Sequence, residues 1–343
     1  MTLTQGMGRR PRLEDVATEV GVSASTVSLV LRGLAGPSAE TRERVFHAVD
    51  RLGYRPDRLA SALASRRSRT IGVLMDITSP FHVPLVLDMY DAARSHGYRV
   101  VLSTINRTDD EARAIETLLD SRCEALILLG PESSQQSLNR LDRQVPVLVV
   151  GRSVPSSTVD VVRSADDNGI FQAVDHLYAL GHERIAYVGG PRGTVTTLRR
   201  TGYENAMTEK GLEDKIRLIP GGLTEANGIR AARSIVRSDN RPSGLIAFND
   251  RCAIGLIDAL TRAGIDVPGS LSVVGFDDSP VAGLPQINLT TVAQDTRALA
   301  ANAMSSLVER LDHDRQGRRE VIVAPQLIVR GTTGPVGAAV HQD

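Results

Sequence analysis

The sequence contains no tryptophan, and aromatic residues make up only 3% of its 343 positions. Its hydrophobic core must therefore be built mainly from aliphatic side chains. Cysteine is almost as rare, since only Cys123 and Cys252 are present, each inside or beside an apolar run. Their number permits one disulfide, but buried thiols in a reducing compartment are the favoured interpretation.

Long apolar segments are also missing. No window approaches the roughly 18 uninterrupted apolar residues that a membrane helix requires. Residues 1–12 contain no apolar segment of the kind found in signal peptides. We therefore expect a cytoplasmic protein that has no contact with a membrane.

Motifs for catalysis and cofactor binding are absent as well. The chain has no phosphate-binding Gly-Lys-Ser/Thr loop, no Gly-x-Gly-x-x-Gly and no Gly-x-Ser-x-Gly. Its 7 histidines are dispersed, and no Cys/His spacing suits a metal. His182, which follows Gly181, is interpreted as part of a turn. We therefore expect no cofactor, no metal and no enzymatic activity.

Charge is distributed unevenly although the formal net charge is zero. Residues 1–69 contain twelve arginines and seven acidic residues, a net charge of +5, so residues 70–343 carry −5. A basic head on an acidic body is expected when only the head contacts DNA phosphates. The alternative is a chance fluctuation of charge along the chain.

Residues 11–54 are predicted to form a compact helical head. Apolar residues recur at helical spacing in three segments, and Ser23 and Ser38 are in position to cap the second and third helices. Gly21 separates the first two helices and permits a tight turn. This arrangement is typical of a helix-turn-helix, which presents the start of its second helix to the major groove of DNA. A generic helical hairpin is the alternative.

From residue 70 onwards, short apolar runs alternate with amphipathic helical segments. Such alternation predicts parallel sheets joined by right-handed crossovers. Two series of strands indicate two doubly wound α/β lobes. The first series covers 71–75, 99–102, 125–129 and 147–150, and the second covers 185–188, 216–219, 244–248 and 271–274. Helices are predicted between them, among others over 110–120, 168–180, 224–236 and 250–263.

Two polar residues follow predicted strands of the second lobe directly, Asn249 and Asp277. Ligands of such sheets bind beyond the carboxyl ends of the strands. An asparagine and an aspartate there suit bidentate hydrogen bonding to hydroxyl groups. The alternative for each residue is structural, as a helix cap or as part of a salt bridge at the sheet end.

The head contains the segments Glu14-Asp-Val-Ala17, Gly21-Val-Ser-Ala-Ser-Thr-Val-Ser28, Ser38-Ala-Glu-Thr-Arg-Glu-Arg-Val45 and Gly53-Tyr-Arg-Pro56. These segments resemble the lac-repressor (LacI/GalR) family of transcription regulators, and the resemblance is nearly continuous over residues 12–65. The family implies a homodimer that reads a pseudo-palindromic operator in double-stranded DNA, with a hinge helix in the minor groove. It also implies a two-lobed effector domain like that of periplasmic binding proteins.

By that resemblance, the base-reading residues are Ala24, Ser25 and Leu29. Many relatives carry a large polar residue at the first and third of these positions. Alanine and leucine make no bidentate contact to guanine, so contact with a thymine methyl group is expected instead. For Leu29 the alternative is that it packs, or faces solvent, without reading DNA.

Side chains at helix ends are the candidates for contact with the DNA backbone, because hydroxyl groups and arginine suit that role. For Ser38, helix capping explains the residue equally well. Arg12 departs from the family, which usually caps the first helix with threonine, so this cap is either lost or supplied by another residue. The backbone candidates are Ser23, Thr26, Ser28, Ser38, Thr41 and Arg42.

Residues 55–69 are predicted to be a hinge helix and linker. Pro56 precedes good helix formers, but so short a helix should form only with DNA and a partner hinge. In the family pattern, Leu63 is the wedge between base pairs at the operator centre, and Arg58 belongs to the same minor-groove element. The alternative is an amphipathic linker whose Leu59 and Leu63 pack on the body.

Residues 70–333, the body, resemble the family's effector domain. The resemblance places Arg199 in the ligand cleft, Phe81 and His82 on its first-lobe side, and Arg152 after the fourth strand. Leu223 stands where relatives often have an aromatic residue, so a pyranose or purine ligand loses a stacking face. The matching segments are Ser79-Pro-Phe81, Leu180-Gly-His182, Phe248-Asn-Asp250, Gly275-Phe-Asp-Asp278 and Leu327-Ile-Val-Arg-Gly331.

Together these features predict a sequence-specific DNA-binding transcription regulator, expected to repress. A small-molecule effector, a sugar or related metabolite, would control its operator affinity. The body alone would also permit a solute-binding protein of a transport system, but the head argues against it. A sugar-processing enzyme is the third alternative, but the sequence contains no recognisable set of catalytic residues. The tail, residues 334–343, has no leucine heptad, so we expect a dimer rather than a tetramer.

Overall fold

The computed structural model describes residues 11–31, 33–54, 67–106 and 108–337. It consists of two compact units, an N-terminal unit Met1–Ser68 and a C-terminal unit Arg69–Asp343. Among the described residues, no helix combines the length and the apolar character needed to cross a membrane. The hinge residues Arg58 and Leu63 lie outside the described residues.

Three helices make up the described part of the N-terminal unit. Their bounds are Leu13–Val20 (α1), Ala24–Leu31 (α2) and Ala39–Leu52 (α3). Small aliphatic side chains from all three helices meet in one core, together with Tyr54 after α3. The core consists mainly of Val16, Ala17, Val20, Val27, Val30, Val45 and Ala48.

The ends of these helices follow the predicted capping chemistry. Ser23 accepts a hydrogen bond from the Thr26 N–H at 3.1 Å, and Ser38 accepts one from the Thr41 N–H at 3.2 Å. Gly21 and Gly53 end α1 and α3 in the left-handed conformation, with φ of 71° and 63°. Both caps and both stops are confirmed.

The question of how α1 begins is also answered. The Arg12 side chain has no acceptor and cannot cap the helix. Asp15, in the first turn, accepts a hydrogen bond from the Arg12 backbone N–H at 2.7 Å. An acidic side chain at this position also faces the positive end of the helix dipole. Asp15 therefore supplies the contact that ties the entering chain to α1.

The C-terminal unit contains two six-stranded sheets, one in each lobe. The strands are Thr70–Asp76 (β1), Arg99–Ile105 (β2), Ala125–Leu129 (β3), Val147–Val150 (β4), Asp160–Ser164 (β5), Ile185–Val188 (β6), Leu218–Ile219 (β7), Gly244–Ala247 (β8), Ser272–Asp277 (β9), Thr290–Ala293 (β10), Glu320–Val323 (β11) and Gln326–Ile328 (β12). Their orders are β11-β5-β4-β3-β1-β2 in the first lobe and β12-β10-β9-β8-β6-β7 in the second. All pairs are parallel except β10 with β12.

Helices cover both faces of each sheet. Aliphatic core clusters lie on the two faces, and the larger first-lobe cluster joins β1 and β3 to the helices His82–Ser95 and Thr296–Asp312. This is the predicted doubly wound arrangement. The helices are His82–Ser95 (α4), Glu111–Asp120 (α5), Gln135–Asp142 (α6), Asp166–Ala179 (α7), Thr194–Glu209 (α8), Glu225–Val236 (α9), Asp250–Arg262 (α10) and Thr296–Asp312 (α11).

The predicted strand 216–219 was too long. Only Leu218–Ile219 pairs with β6, and the preceding residues Glu213–Lys215 form a short 3-10 helix. A short apolar run does not by itself distinguish a strand from a neighbouring helix or turn. The boundary of this edge strand was therefore not predictable from the run alone. The other predicted strands are present within a few residues.

The chain passes between the two lobes three times, which the two predicted series of strands did not anticipate. It leaves the first lobe after β5, returns after β10, and crosses again between β11 and β12. Each lobe is therefore completed by a segment that is distant in sequence. Residues at strand ends of the two lobes contact each other, Ser164 with Gln294 and Thr78 with Arg251, so the carboxyl ends of the parallel strands of the two lobes face one another.

Both cysteines are free thiols. Burial raises the pKa of Cys123 and of Cys252 to about 11, so both stay protonated at neutral pH. The structure agrees with free thiols rather than a disulfide, but only Cys252 is buried, whereas Cys123 is half-buried. His182 is buried, and its Nε2 lies 3.0 Å from the Ser272 hydroxyl and 3.0 Å from the Gly334 carbonyl oxygen, so it anchors the last described segment of the chain.

Candidate functional site

The start of α2 carries a cluster of three hydroxyl groups. The Ser23 oxygen lies 2.7 Å from that of Ser25 and 2.8 Å from that of Thr26. Ser23 and Ser25 are exposed, and Thr26 is half-buried. Hydroxyl groups both donate and accept, so this cluster suits phosphate oxygens and base edges alike.

The two apolar candidates for base reading differ in their surroundings. Ala24 is half-buried and packs against the core of the N-terminal unit. Leu29 is also half-buried but is not among the residues packed in that core. Its side chain is therefore the better placed of the two for contact with a thymine methyl group. Ser28, on the same helix, is half-buried.

The start of α3 offers a second polar group. The hydroxyls of Ser38 and Thr41 lie 2.9 Å apart. Arg42 donates from Nη2 to the Leu34 carbonyl oxygen at 2.5 Å, which ties α3 to the preceding loop. A guanidinium has five N–H groups, so this bond leaves others for a phosphate.

In the C-terminal unit, Arg199 on α8 lies buried at the carboxyl ends of the second-lobe strands. It donates from Nε to Asp166 at 2.7 Å and from Nη1 to the Phe248 carbonyl oxygen at 2.5 Å. Its guanidinium carbon stands 3.5 Å from the centre of the Phe276 ring. Burial alone would lower the pKa of Arg199, but the carboxylates of Asp166 and Asp277 outweigh it and raise the pKa. The residue is a permanent, strongly held cation.

Asp277 ends β9 and projects from an unusual backbone conformation, with φ of 114°. Its Oδ1 accepts a hydrogen bond from Gln294 at 2.8 Å and lies 3.9 Å from Arg199 Nη2. Burial raises the pKa of Asp277 to about 7, and the nearby Asp250 carboxyl adds to this while Arg199 opposes it. The carboxyl side chain is 16% exposed, so part of it is open to a ligand.

Asn249 is occupied by the protein itself. Its Oδ1 accepts a hydrogen bond from the Cys252 N–H at 2.9 Å and so caps α10, as the structural alternative had it. Its Nδ2 donates to the Leu223 carbonyl oxygen at 3.1 Å. The Leu223 side chain is 45% exposed. Asn249 thus fixes the position of the exposed leucine that stands in place of a stacking aromatic residue.

The first-lobe candidates Phe81 and His82 lie where α4 begins. Phe81 is half-buried against the first-lobe core. The Nδ1 of His82 lies 3.2 Å from the backbone nitrogen of Asp76 and 3.3 Å from its carbonyl oxygen. Burial lowers the pKa of His82, although Asp76 opposes the shift, so the ring is neutral at physiological pH.

Arg152 is held by main-chain oxygens of the loop after β3. It donates from Nε to Pro131 at 2.5 Å and from Nη2 to Ser133 at 2.8 Å. Through these two hydrogen bonds, Arg152 supports the loop after β3. The structure brings Arg199, Asp277, Asn249 and Leu223 together in the second lobe, whereas Arg152 is committed elsewhere.

Two functional candidates were missed by sequence reasoning. Gln294, after β10, donates to Asp277 and accepts a hydrogen bond from the Ser164 hydroxyl of the first lobe at 2.8 Å. Arg251 on α10 donates to the Thr78 carbonyl oxygen of the first lobe at 3.1 Å. Both bridge the lobes, and no local pattern marks them, since β10 was not predicted and Arg251 appears as an ordinary exposed helix residue.

Within the described ranges, no group of three or more His, Cys, Asp or Glu side chains is arranged to hold a metal ion. The polar groups gathered in the second lobe are a buried cation, Arg199, a largely buried carboxyl, Asp277, and amide groups. Groups of these kinds form hydrogen bonds with polar groups of a ligand.

Comparison with known families matches both units. The model described as "Bacterial regulatory proteins, lacI family" matches residues 12–57, and the "Periplasmic binding protein-like domain" matches residues 174–333. The HTH-type transcriptional regulator PtxS of Pseudomonas putida is 31% identical over 332 residues, which covers 95% of this chain and 97% of PtxS.

Two solved structures share the fold of nearly the whole chain. A crystal structure of the lac repressor dimer bound to operator and the anti-inducer ONPF has a TM-score of 0.83 at 29% identity and covers 95% of this chain and 100% of its own. A complex of the transcriptional regulator CelR with cellobiose has a TM-score of 0.69 at 27% identity and covers 94% and 100%. A helix-turn-helix unit followed by a two-lobed domain, with whole-length similarity to such regulators, identifies this chain as a member of the LacI family of bacterial DNA-binding transcription regulators.

Proposed function

We propose that this protein is a dimeric repressor that binds a pseudo-palindromic operator and releases or tightens it in response to a sugar or related metabolite. The observation that supports this most directly is the exposed hydroxyl cluster at the start of α2, in a chain whose second unit contains a polar interlobe cleft. The lac repressor dimer is described with its operator and CelR with cellobiose, which favours this reading over a transport protein.

In the head, α2 makes few contacts to DNA bases. Leu29 contacts a thymine methyl group and Ser25 hydrogen-bonds without strong discrimination, while Ala24 gives close approach. Ser23, Thr26, Ser28, Ser38, Thr41 and Arg42 contact the backbone. Much of the sequence preference then comes from half-site spacing and from deformation of the operator centre by Leu63, with Arg58 in the same minor groove.

In the cleft, Asp277 and Arg199 contact hydroxyl groups of the effector, and Phe81, His82 and Leu223 form its apolar walls. Asn249 acts by holding Leu223 in place, and Arg152 acts by supporting the loop after β3. Without an aromatic stacking residue at Leu223, the effector is held by hydrogen bonds more than by its ring face. We place the protein in the cytoplasm, as a regulator and not an enzyme.

The test begins with selection of operators from a random duplex library by the full-length protein. A panel of sugars and nucleosides is then titrated against the selected operator, and each active compound is also measured for binding with and without DNA. Linkage requires that the effector change operator affinity by the same factor as the operator changes effector affinity. If no DNA sequence is enriched, the proposal of sequence-specific DNA binding is wrong. If the effector does not change operator affinity and the operator does not change effector affinity, the proposal of effector control is wrong.

A further inference from the structure

A groove crosses the second lobe at the amino ends of its strands. Arg184 directly precedes β6, Arg217 directly precedes β7 and Ser243 directly precedes β8, and all three line a cavity of about 620 Å³. Because these strands run parallel, their amino ends share one edge of the sheet. Arg199 and Asp277 lie at the opposite edge. The groove is therefore separated from the proposed effector site by the length of the strands, about 13 Å for a four-residue strand.

The groove is positively charged although it belongs to an acidic part of the chain. A second cavity, of about 460 Å³, shares Arg184 and Asn240 with the first. Together the two cavities are lined by five cationic and three acidic side chains, a net charge of +2, whereas residues 70–343 carry −5 in all. A concave surface of one sign attracts ligands of the opposite sign. We call this surface the basic groove, and its charged residues are Arg184, Lys215, Arg217, Arg237, Arg241, Glu183, Asp214 and Asp239.

Two cations of the basic groove lack a carboxylate partner. Lys215 pairs with Glu183 at 2.6 Å, so its charge is compensated within the protein. In the part of the chain that the structure describes, no carboxylate lies within ion-pair distance of Arg184 or Arg217, whose hydrogen bonds go to neutral oxygens. Two uncompensated guanidinium groups in one groove favour a ligand that carries negative charge.

The loop between α9 and β8 holds both arginines in position. Arg217 donates from Nη1 to the Asn240 carbonyl oxygen at 2.5 Å and from Nη2 to the Ser238 hydroxyl at 3.3 Å. Arg184 donates from Nε to the Arg241 carbonyl oxygen at 3.2 Å. Its two terminal nitrogens have no hydrogen-bond partner among the described residues, so their N–H groups are available to a ligand. The two side chains are thus oriented by the protein without losing their charge.

An apolar wall lies beside these cations. Ile216 and Val336 line the same cavity, and the Val336 side chain is 47% exposed. The Val336 backbone N–H donates to the Leu180 carbonyl oxygen at 3.1 Å, which holds the valine at this place. Burial of exposed apolar surface favours binding. The basic groove therefore suits a ligand that combines negative charge with an apolar part.

We propose that the basic groove is a second ligand site, which binds a phosphorylated small molecule. Arg184 and Arg217 bind the phosphoryl group, because guanidinium groups form paired hydrogen bonds with phosphate oxygens. The apolar part of the ligand packs on Ile216 and Val336. A cavity of about 620 Å³ lies within the usual size range of small-molecule sites. The site shares no residue with the proposed effector site, and its occupation does not depend on DNA binding.

The test is isothermal titration calorimetry of the full-length protein without DNA, at constant ionic strength, with phenyl phosphate and inorganic phosphate as probes. Phenyl phosphate should bind more tightly than inorganic phosphate, because its ring covers the apolar wall. The variant R184A/R217A should bind both probes at least about tenfold more weakly. V336S should weaken the binding of phenyl phosphate alone. The control R200A/R262A removes two exposed arginines of the same lobe, each paired within its own helix, and should bind both probes as the parent protein does.

The proposal is wrong if the parent protein binds neither probe at millimolar concentration, or if R184A/R217A binds both as the parent does. Equal weakening in R200A/R262A would show attraction by general charge rather than by a site, and would also overturn it. Circular dichroism checks that each variant is folded. If R184A/R217A does not fold, R184A alone removes a single hydrogen bond to the protein and should weaken both probes at least about threefold.

These outcomes are separate from those of the proposed function. The titration contains no DNA, so a failure of phosphate binding leaves operator binding untouched. A failure to select an operator leaves the phosphate titration equally unaffected.

Discussion

The guanidinium of Arg251 in the second lobe donates a hydrogen bond to the main-chain oxygen of Thr78 in the first lobe, at 3.1 Å. The same guanidinium is held in place by Glu225, whose two oxygens accept from Nε and Nη2 at 2.8 and 2.7 Å. The bidentate pair orients the arginine, and an N–H of its Nη1 reaches across to the first lobe. Arg251 therefore connects the two lobes at the mouth of the proposed effector site.

We predict that Arg251→Met opens the cleft. Removing one charge-assisted interlobe bond shifts the equilibrium between open and closed lobes by about 1 kcal/mol, roughly fivefold. Because the chain has no tryptophan, a single Ile77→Trp reporter next to Thr78 gives an unambiguous signal. Quenching of its emission by acrylamide should increase in the variant.

Arg262→Met is the matched control, because Arg262 lies on the same helix and pairs with Asp258 of that helix at 2.9 Å. Equal quenching in both variants would show that Arg251 does not hold the lobes together. Glu225→Gln should produce part of the effect of Arg251→Met, since it weakens the support of the arginine without removing it.

Asp277 predicts a pH dependence of stability. Burial raises its pKa to about 7, and burial likewise raises that of the neighbouring Asp250 to about 6. In the unfolded chain an aspartate releases its proton near pH 4. The folded state therefore binds more protons between about pH 4 and 7, so this stabilisation is complete at low pH and is lost as the pH rises through 7.

The free energy of unfolding should accordingly fall between pH 5 and pH 8, and Asp277→Asn should flatten that fall and stabilise the protein at pH 8. Asparagine tolerates the positive φ of this position. Asp278→Asn is the control, since this neighbour pairs with Arg330 at 2.7 Å and lies nearer the surface. Urea unfolding at several pH values measures both. A steeper pH dependence in Asp277→Asn than in the parent would contradict the assignment.

Asn249 allows its capping role to be separated from its link to Leu223. Asn249→Ala removes both hydrogen bonds and should destabilise the protein by about 1 to 2 kcal/mol. Asn249→Ser restores an acceptor for the Cys252 N–H and should recover most of that loss. If urea unfolding shows the alanine variant to be as stable as the parent, the cap contributes nothing.

The hinge prediction concerns residues 59 and 63. Leu63→Ala should abolish operator bending and weaken operator binding at least about tenfold, or about 1.4 kcal/mol. Leu59→Ala is the matched control, because a linker that merely packs on the body would respond to both changes alike. Circularly permuted operator fragments in gel-shift experiments measure bending and affinity together. If the Leu63→Ala variant bends the operator as much as the parent protein does, Leu63 is not a wedge between base pairs.

The extent to which the fold was predictable differs between central and edge strands. Strands β1, β3, β4, β6 and β8 are almost fully buried, so they appear in the sequence as uninterrupted apolar runs. The edge strands β11 and β12 have no fully buried residue and carry charged and polar side chains. Strand β5 begins with the buried Asp160, which is paired with Arg315. A partner distant in the chain compensates that charge, so local sequence did not mark this strand.

The candidate site was likewise predictable only in part. The positions of Asp277 and Asn249 after strands follow from the rule that polar residues collect where parallel strands end. That the Asn249 side chain would be consumed by a helix cap and by Leu223 depends on how α10 and the loop before α9 are packed. Residue type and spacing indicate which polar groups are present near the strand ends. They do not indicate which hydrogen-bond partner each group has in the folded protein.

The sequence alone determined the helix-turn-helix with its caps, the alternation of strands and helices, the absence of catalytic motifs and the concentration of arginine around the head. These are local properties, set by side-chain chemistry and by spacing along a few turns of chain. Tertiary structure alone decided the three crossings between lobes, the bridges made by Arg251 and Gln294, and the burial of Asp277 beside Arg199. Each of these joins residues far apart in sequence, so each exists only once the lobes have packed.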